Sequence, residues 1–432
     1  MISRGGHTLS LTALALVIGG LLVWAFRSTL LHEEEPEVPK VSRTLNDFLT
    51  NEMSDSLALD YIDKEMETYL SFWHIKGVSL TITRNDSLVY SKGFGWADKE
   101  KGERMTPGTI MRLASVSKLI TAAGIMKLQE MGKLSLGDRV FGPLGILNDQ
   151  VFTDALTDPN YLKVTVEHLL RHQAGFSTRR GDPLFSTVTV MQQHHLSSAP
   201  DAATLLLTQL PRPLYFQPGT SQEYSNLGYL ILSMIIEKVT GEPYEDWMQE
   251  NILRPAGCVD FHIAGNYYAD KYPNETRYYL QDDDEPVEEY THSGKEVLRC
   301  YGGNDIAGLK GAGAWVASTP ELARFVAAID GMPWVPDVLS QESIDQMTRY
   351  VDENTYSLGW NDTTPGHCWS RTGTLSGTSA LIRLFPDGEC WVMVANTSTW
   401  KGPRQTGYTA ELFKRCREKC SASLPARDFF FE

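Results

Sequence analysis

The chain has little cysteine, no excess of basic residues and no internal repeat. Its 432 residues contain six cysteines, with no CxxC pair and no zinc spacing, which argues against a zinc-held fold. In an exported protein some of the six could pair as disulfides, and in a domain this large they could equally remain buried thiols. The formal net charge of −15 argues against a nucleic-acid partner, because phosphate binding needs a basic face.

Long apolar runs are also scarce, and the one that stands out lies at the N-terminus. Residues 9–26 carry no charge over about 18 positions, which is near the lower limit for crossing a bilayer. No small-x-small cleavage site follows, so we favour an uncleaved membrane anchor at residues 1–30 over a cleaved signal segment. The rest of the chain would then lie outside the cytoplasm, in a periplasmic or other extracytoplasmic space. The alternative is a protein secreted after signal cleavage.

The remaining sequence is organised as one domain. We expect an acidic linker at residues 31–55, a folded domain at 56–420 and a C-terminal tail at 421–432. Alternating runs at 77–84 and 87–95 flank Asn85-Asp86, and runs at 379–385 and 389–396 flank Pro386-Asp387-Gly388, so each pair predicts a β-hairpin. Helical periodicity is present at the following residues: 56–73, 115–131, 164–170, 228–239, 322–329 and 407–419.

This order of elements predicts an α+β fold, an α/β sandwich. Strands from both ends of the chain most economically form one antiparallel sheet flanked by helices, and the middle helices form a second lobe. The N-terminal transmembrane helix would precede this domain. The charged run at residues 281–290 is predicted to be a solvated loop.

A first candidate for chemistry is the pattern Ser115-Val116-Ser117-Lys118 at the start of a predicted helix. A serine hydroxyl needs an adjacent base to act as a nucleophile. A lysine three residues later lies on the same helix face, and burial can bring its amine to the neutral, basic form. The pattern S-x-x-K is short and occurs twice, because Ser398 and Lys401 also match it. The second match lies between a strand and Gly402-Pro403, with no helix to align the two side chains.

Two further elements follow in the chain. Tyr224-Ser225-Asn226 precedes an apolar helix, where Ser225 and Asn226 would also suit a helix N-cap. A tyrosine with a lowered pKa can act as general base, and an asparagine beside it can hold a substrate amide. The segment 371–374, Arg-Thr-Gly-Thr, leads into a strand and offers a cation for a substrate carboxylate.

The three elements in this order resemble the serine β-lactamase and penicillin-binding-protein superfamily. Within it the chain is most similar to the branch of class C β-lactamases, DD-peptidases and esterases, whose middle motif is Y-x-N. Residues 165–175 (TVEHLLRHQAG), 216–219 (FQPG) and 358–360 (LGW) are also similar to segments of that branch, with Ala174 where serine is usual. The resemblance extends over residues 56–419.

The resemblance implies a role for each matching residue. Ser115 would be the nucleophile, Lys118 its partner and Tyr224 the acid–base group. Asn226, Arg371, Thr372 and Gly373 would bind substrate, and the backbone N–H groups of Ser115 and Thr374 would form the oxyanion hole. Arg371 replaces the usual lysine or histidine and cannot titrate, which makes β-lactam hydrolysis less secure than formation of an acyl-enzyme. We interpret His172 and His367 as structural.

The sequence therefore predicts a serine hydrolase or acyltransferase that needs no metal or cofactor. Its partners would be a small acyl donor, of which an ester ranks first, and water or a hydroxyl acceptor. The alternatives are a DD-peptidase or β-lactamase and a non-catalytic sensor of the penicillin-binding type. The sequence leaves the oligomeric state open.

Overall fold

The computed structural model describes residues 44–179, 181–281 and 284–430. The predicted anchor at residues 1–30 lies outside this part of the chain. Among the helices of the described part, none has both the length and the apolar character needed to cross a membrane.

A six-stranded sheet forms the centre of the fold. Its strand order is β3-β2-β1-β11-β10-β9, and all neighbours in it are antiparallel. The central pair joins the two ends of the chain, since Val78 of β1 lies opposite Ala395 of β11. The strands of the described residues are β1 Gly77–Arg84, β2 Ser87–Asp98, β3 Glu103–Arg104, β4 Met111–Arg112, β5 His262–Ile263, β6 Val287–Glu288, β7 Glu296–Val297, β8 Trp315–Ala317, β9 Trp369–Leu375, β10 Thr378–Leu384 and β11 Glu389–Ala395.

The first predicted hairpin is confirmed, and its turn explains why it forms. Asn85 and Asp86 have φ angles of 49° and 61°. A two-residue hairpin whose central residues are both left-handed matches the twist of its strands, and Asn and Asp tolerate this conformation best after glycine. The second predicted hairpin is also confirmed as β10 and β11.

Helices cover both faces of the sheet. Their bounds are α1 Leu45–Phe48, α2 Asp60–Trp73, α3 Ser117–Glu130, α4 Gln150–Ala155, α5 Val166–Leu170, α6 Thr187–His194, α7 Ala202–Gln209, α8 Asn226–Thr240, α9 Tyr244–Met248, α10 Thr319–Ala327, α11 Gln341–Thr348 and α12 Gln405–Cys420. Helices α2 and α12 pack on one face, and α10 contacts β1 and β11 on the other. The predicted α+β class, with an antiparallel sheet and flanking helices, is therefore confirmed.

Alternation along β11 distributes its side chains between two apolar cores. Trp391 and Met393 pack with α2 and α12, whereas Val392 and Val394 belong to the larger core on the opposite face. This larger core continues without interruption into α3 and α8. The helix-rich middle of the chain and the sheet thus share one hydrophobic core, which fixes α3 relative to the strands.

Residues at both ends of the described chain pack on the outer part of the sheet. Leu49 and Phe429 are buried against Leu88, and Phe429 N donates a hydrogen bond to Leu88 O at 3.0 Å. The folded unit begins at Thr44 and so includes residues 44–55, which the sequence assigned to the linker. Burial of these few apolar side chains explains why residues with linker-like composition are part of the fold.

Part of the charged segment at residues 281–290 forms a strand. Residues 287–288 form a two-residue strand paired with residues 296–297, so part of the predicted loop is a short ribbon. All six cysteines are free thiols, and Cys368 is the only one of them that is not fully buried.

Candidate active site

Ser115 lies on a tight turn immediately before a long buried helix. Residues 114–116 form a 3-10 turn, and α3 begins at Ser117. Ala114 has a φ of 51°, a left-handed conformation that a non-glycine residue adopts only when its surroundings impose it. Ala114 and Val116 are buried, whereas Ser115 is partly exposed. The turn therefore presents the Ser115 hydroxyl to a cleft from a fixed backbone.

Lys118 lies fully buried beneath this hydroxyl. Its Nζ is 3.2 Å from Ser115 Oγ, 2.7 Å from Asn226 Oδ1 and 2.5 Å from Ala312 O. Burial is the main cause that lowers the pKa of Lys118 below its ordinary value, and the charge of Arg371 adds to it while Tyr224 opposes it. A neutral amine keeps two N–H donors and one lone pair. The two short contacts can use the donors, and the lone pair can then accept the proton of Ser115.

Tyr224 approaches the same hydroxyl from the other side. Its OH donates to Ser115 Oγ at 2.6 Å. Burial alone would raise the pKa of Tyr224, but the nearby charges of Lys118 and Arg371 outweigh burial, so the pKa lies below the ordinary value. Ser115 Oγ thus has two proton-exchanging groups within hydrogen-bonding distance.

The ring of Tyr224 is held by its neighbours. The centroid of the His172 ring is 4.5 Å from that of Tyr224, and His172 Nδ1 accepts a hydrogen bond from Ser225 N at 3.1 Å. Burial, followed by the charges of Lys118 and Arg371, holds the pKa of His172 well below its usual range. His172 is therefore a neutral packing partner of the tyrosine, while His367 is exposed.

Asn226 is both the first residue of α8 and a member of the site. Ser225 caps α8 by accepting a hydrogen bond from Gly228 N at 3.1 Å. The next residue, Asn226, directs Oδ1 to Lys118 and donates from Nδ2 to Asp182 Oδ2 at 2.6 Å. The helix-cap and functional interpretations of this segment are thus compatible.

The segment 371–374 lies on β9, the edge strand next to the nucleophile. Arg371 is 1% exposed, and its Nε and Nη2 donate to Ser115 O at 2.8 and 2.5 Å. Its guanidinium therefore binds the backbone of the nucleophile. A Cβ atom added at Gly373 would lie 2.2 Å from Leu113 O, so only glycine allows β9 to pack this closely against the turn.

The outer N–H groups of β9 point away from β10. Ser370 N donates to Asp362 O, and Thr372 N donates to Asn361 Oδ1 at 2.8 Å. Because backbone orientation in a strand repeats every second residue, Thr374 N points off the same edge. The Ser115 turn packs against the preceding residue, because a Cβ atom added at Gly373 would lie 3.1 Å from Ser115 N.

Sequence reasoning missed several of these partners. Asp182, Asn361 and the carbonyl oxygen of Ala312 lie outside the three motifs, and no local pattern connects them with Ser115. Asp182 precedes Pro183 and caps the 3-10 turn that begins there. Tertiary packing alone brings these groups to the site.

A cavity of about 50 Å³ adjoins the cluster. Asp182 and Asn226 are among the polar residues of its wall, and the apolar part includes Tyr161, Phe176 and Leu214. Within the described residues, no group of three or more His, Cys, Asp or Glu side chains is arranged to hold a metal ion.

Comparison with known proteins shows the same architecture. The chain matches the Beta-lactamase family model over residues 62–413. It is 26% identical over 334 residues to the putative penicillin-binding protein PbpX of Bacillus subtilis (strain 168), an alignment that covers 77% of this chain and 73% of that protein.

Two solved structures share its fold. The D-amino acid amidase from Ochrobactrum anthropi SV3 has a TM-score of 0.65 and 21% identity, over 85% of this chain and 99% of the amidase. EstCE1, described as a hydrolase with promiscuous acyltransferase activity, has a TM-score of 0.62 and 18% identity, over 84% of this chain and 98% of EstCE1. The prediction of a serine β-lactamase-like hydrolase is confirmed at the level of the family. The chain belongs to the Beta-lactamase family.

Proposed function

We propose that this protein is a serine hydrolase or acyltransferase that forms an acyl-enzyme on Ser115, with an ester or related compound as the acyl donor. The observation that carries the proposal is the position of Ser115 Oγ, 2.6 Å from Tyr224 OH and 3.2 Å from Lys118 Nζ. Few structural roles would require a partly exposed serine between a buried lysine and a half-buried tyrosine whose pKa values are both lowered.

Acylation follows from this geometry. Ser115 Oγ attacks the carbonyl carbon of the donor, and its proton passes to the Lys118–Tyr224 pair. The N–H groups of Ser115 and Thr374 stabilise the negative oxygen of the tetrahedral intermediate. Collapse of this intermediate breaks the bond to the leaving group, which takes the proton from Tyr224, and leaves the acyl group on Ser115.

Deacylation reverses the proton path. Water or an alcohol attacks the acyl carbon and gives a proton to the same pair, and Ser115 regains its proton as it leaves. Water as acceptor gives hydrolysis, and an alcohol gives transfer. The similarity to EstCE1, a hydrolase with promiscuous acyltransferase activity, supports the view that one scaffold can serve both acceptors.

Arg371 has a different role in this proposal from the one the sequence suggested. Both of its contacting nitrogens are bound to Ser115 O, so we assign it a fixed charge that keeps Lys118 and Tyr224 in their reactive forms. A substrate carboxylate would need another partner. This favours neutral acyl donors over β-lactams and C-terminal peptides.

Amide donors are the second candidate class. The similarity to D-amino acid amidase supports it at the level of the fold. The same Ser115 acyl-enzyme would form, with an amine in place of an alcohol as the leaving group.

The proposal is tested by covalent labelling. The full chain is incubated with a fluorophosphonate probe, and separately with mixed esters, D-amino acid amides, D-Ala-D-Ala peptides and β-lactams, followed by peptide mass spectrometry. We expect a mass increase on the Ser115 peptide of the wild type, its loss in Ser115→Ala and its retention in Ser398→Ala. Labelling that persists in Ser115→Ala, or no labelling by any serine-directed reagent, would overturn the proposal and favour a non-catalytic sensor.

A further inference from the structure

Asp182 is a half-buried neighbour of the site that none of the motifs contains. It lies in the connection between α5 and α6, ahead of the 3-10 turn Pro183–Phe185. Its Oδ1 accepts a hydrogen bond from Leu184 N at 3.0 Å, and its Oδ2 accepts from Asn226 Nδ2 at 2.6 Å. Both carboxylate oxygens are thus engaged, one with its own turn and one with the site.

The contact with Asn226 decides which way the asparagine amide points. Lys118 must donate to the Oδ1 end of Asn226 if its lone pair is to face Ser115, and an ionised carboxylate can only accept, so it must face the Nδ2 end. Rotation of the amide by half a turn would place the Nδ2 donor against Lys118, where only the lone pair needed for Ser115 could accept it, and would bring two acceptors together at Asp182. Asp182 and Lys118 therefore select one orientation of Asn226 from opposite sides.

We propose that Asp182 is a positioning residue that fixes the Asn226 amide and, through it, aims the Lys118 amine at Ser115. This inference rests on the proposed function, since it concerns the same acyl-transfer site. The chain of contacts runs from Asp182 through Asn226 to Lys118 at distances of 2.6 and 2.7 Å. Lys118 can then keep its contact with Ser115 Oγ without swinging toward the carboxylate itself.

The negative charge of Asp182 gives the inference a second test, the pH profile of activity. Burial raises the pKa of the Asp182 carboxyl, whereas its hydrogen bonds with Asn226 and Leu184 and the charge of Lys118 lower it. Burial is the main influence on the pKa of Lys118, and Asp182 opposes it by raising the pKa. Removal of this negative charge should therefore lower the pKa of Lys118 and move the acid limb of the activity profile to lower pH.

The substitution Asp182→Asn tests the idea with almost no change in shape. An asparagine has one acceptor oxygen, so it cannot serve both Leu184 N and Asn226, and its own N–H groups can pair with a flipped Asn226. We expect kcat to fall about 10- to 100-fold, the range for a lost hydrogen bond to a charged group, together with the shift of the acid limb. Glu223→Gln is the matched control. It removes a negative charge from a carboxylate whose hydrogen bonds are to Ser177 and Thr178, and it should leave kcat within about twofold.

A double-mutant cycle separates positioning from general damage. If Asp182 acts through Asn226, Asp182→Asn should cost much less kcat in the background of Asn226→Ala than in the wild type. The inference would be overturned if the fold-loss of kcat in the double variant equalled the product of the losses in the two single variants. An unchanged kcat and pH profile in Asp182→Asn would overturn it as well. Thermal unfolding of each variant shows whether the turn still folds. Labelling of Ser115 in the wild type keeps the two proposals distinct, because its failure would refute the proposed function and not the role of Asp182 alone.

Discussion

The same four-residue pattern occurs at two places in this chain and has a different structure at each. At the first, Lys118 is fully buried and 3.2 Å from Ser115 Oγ. At the second, Lys401 lies over the ring of Trp400, with Nζ 3.7 Å from the centroid. Ser398 Oγ instead accepts a hydrogen bond from a backbone N–H at 2.6 Å. The pattern becomes a site only where a helix aligns the two side chains and a core buries the amine.

Burial makes the chemical difference between the two lysines. Lys401 is only half-buried, against the ring of Trp400. An amine enclosed by protein is driven toward its neutral form. The comparison can be tested residue by residue, since each member of the first pattern has a counterpart in the second.

Substitution of the two serines should give the largest difference in turnover. Ser115→Ala removes the attacking oxygen and should reduce turnover by about 10⁴-fold or more, whereas Ser398→Ala should leave turnover within about twofold. Steady-state hydrolysis of an activated ester measures both variants. Comparable losses in the two would refute the assignment.

The lysines come next. Lys118→Ala should lower kcat by about 10³-fold, because a positioned general base typically contributes 10²- to 10⁴-fold. Lys118→Arg should not restore activity, since arginine stays charged. Lys401→Ala is the matched control and should be silent in the same assay. Near-normal burst acylation in Lys118→Ala would leave Tyr224 as the sole base.

The dependence of activity on pH should reveal the two groups whose pKa values are lowered. The reactive form is the deprotonated one, and the lowered pKa values of Lys118 and Tyr224 increase its fraction at any given pH. Activity should therefore extend below the ordinary pKa range of lysine and tyrosine and be lost as pH falls through the lowered values. Arg371→Met removes a nearby cation and should move the acid limb to higher pH. An identical limb in wild type and Arg371→Met would contradict the role given to this charge.

The smallest expected effect is on the free energy of unfolding, through Ser398 of the second S-x-x-K match. Ser398→Ala removes the acceptor for Gly377 N and should lower the free energy of unfolding by about 1 kcal/mol. Chemical denaturation of Ser398→Ala and wild type measures the difference. No change in the free energy of unfolding would mean that water replaces the serine hydroxyl.

Much of the fold could be predicted because its signals are local. The strand predicted at residues 77–84 is observed with the same bounds, and the helix predicted at 228–239 is observed as Asn226–Thr240. Strands β4, β5 and β8 were missed, since two or three residues are too few to show a period. Residues 44–55 were assigned to the linker because what holds them is contact with residues far along the chain, such as Leu88 and Phe429.

Within the site, too, local features could be predicted from the sequence, and contacts set by tertiary packing could not. The pairing of Ser115 with Lys118 was predicted from their spacing at the start of a helix, although Ser115 lies on the 3-10 turn just before α3. The approach of Tyr224 was expected from the resemblance to a family. The contact of Arg371 with Ser115 O and that of Asp182 with Asn226 depend on how separate segments pack, and no local spacing encodes them.

The central strand pair has a consequence for how the chain acquires activity. Strand β1 is complete by Arg84, but its partner β11 ends at Ala395, and β9 beside the nucleophile is synthesised only shortly before. Contacts this distant in sequence form slowly and late. A ribosome that has made Ser115 must therefore add more than half of the chain before the turn meets its edge strand. The growing polypeptide should stay inert until β9 and β11 have been synthesised.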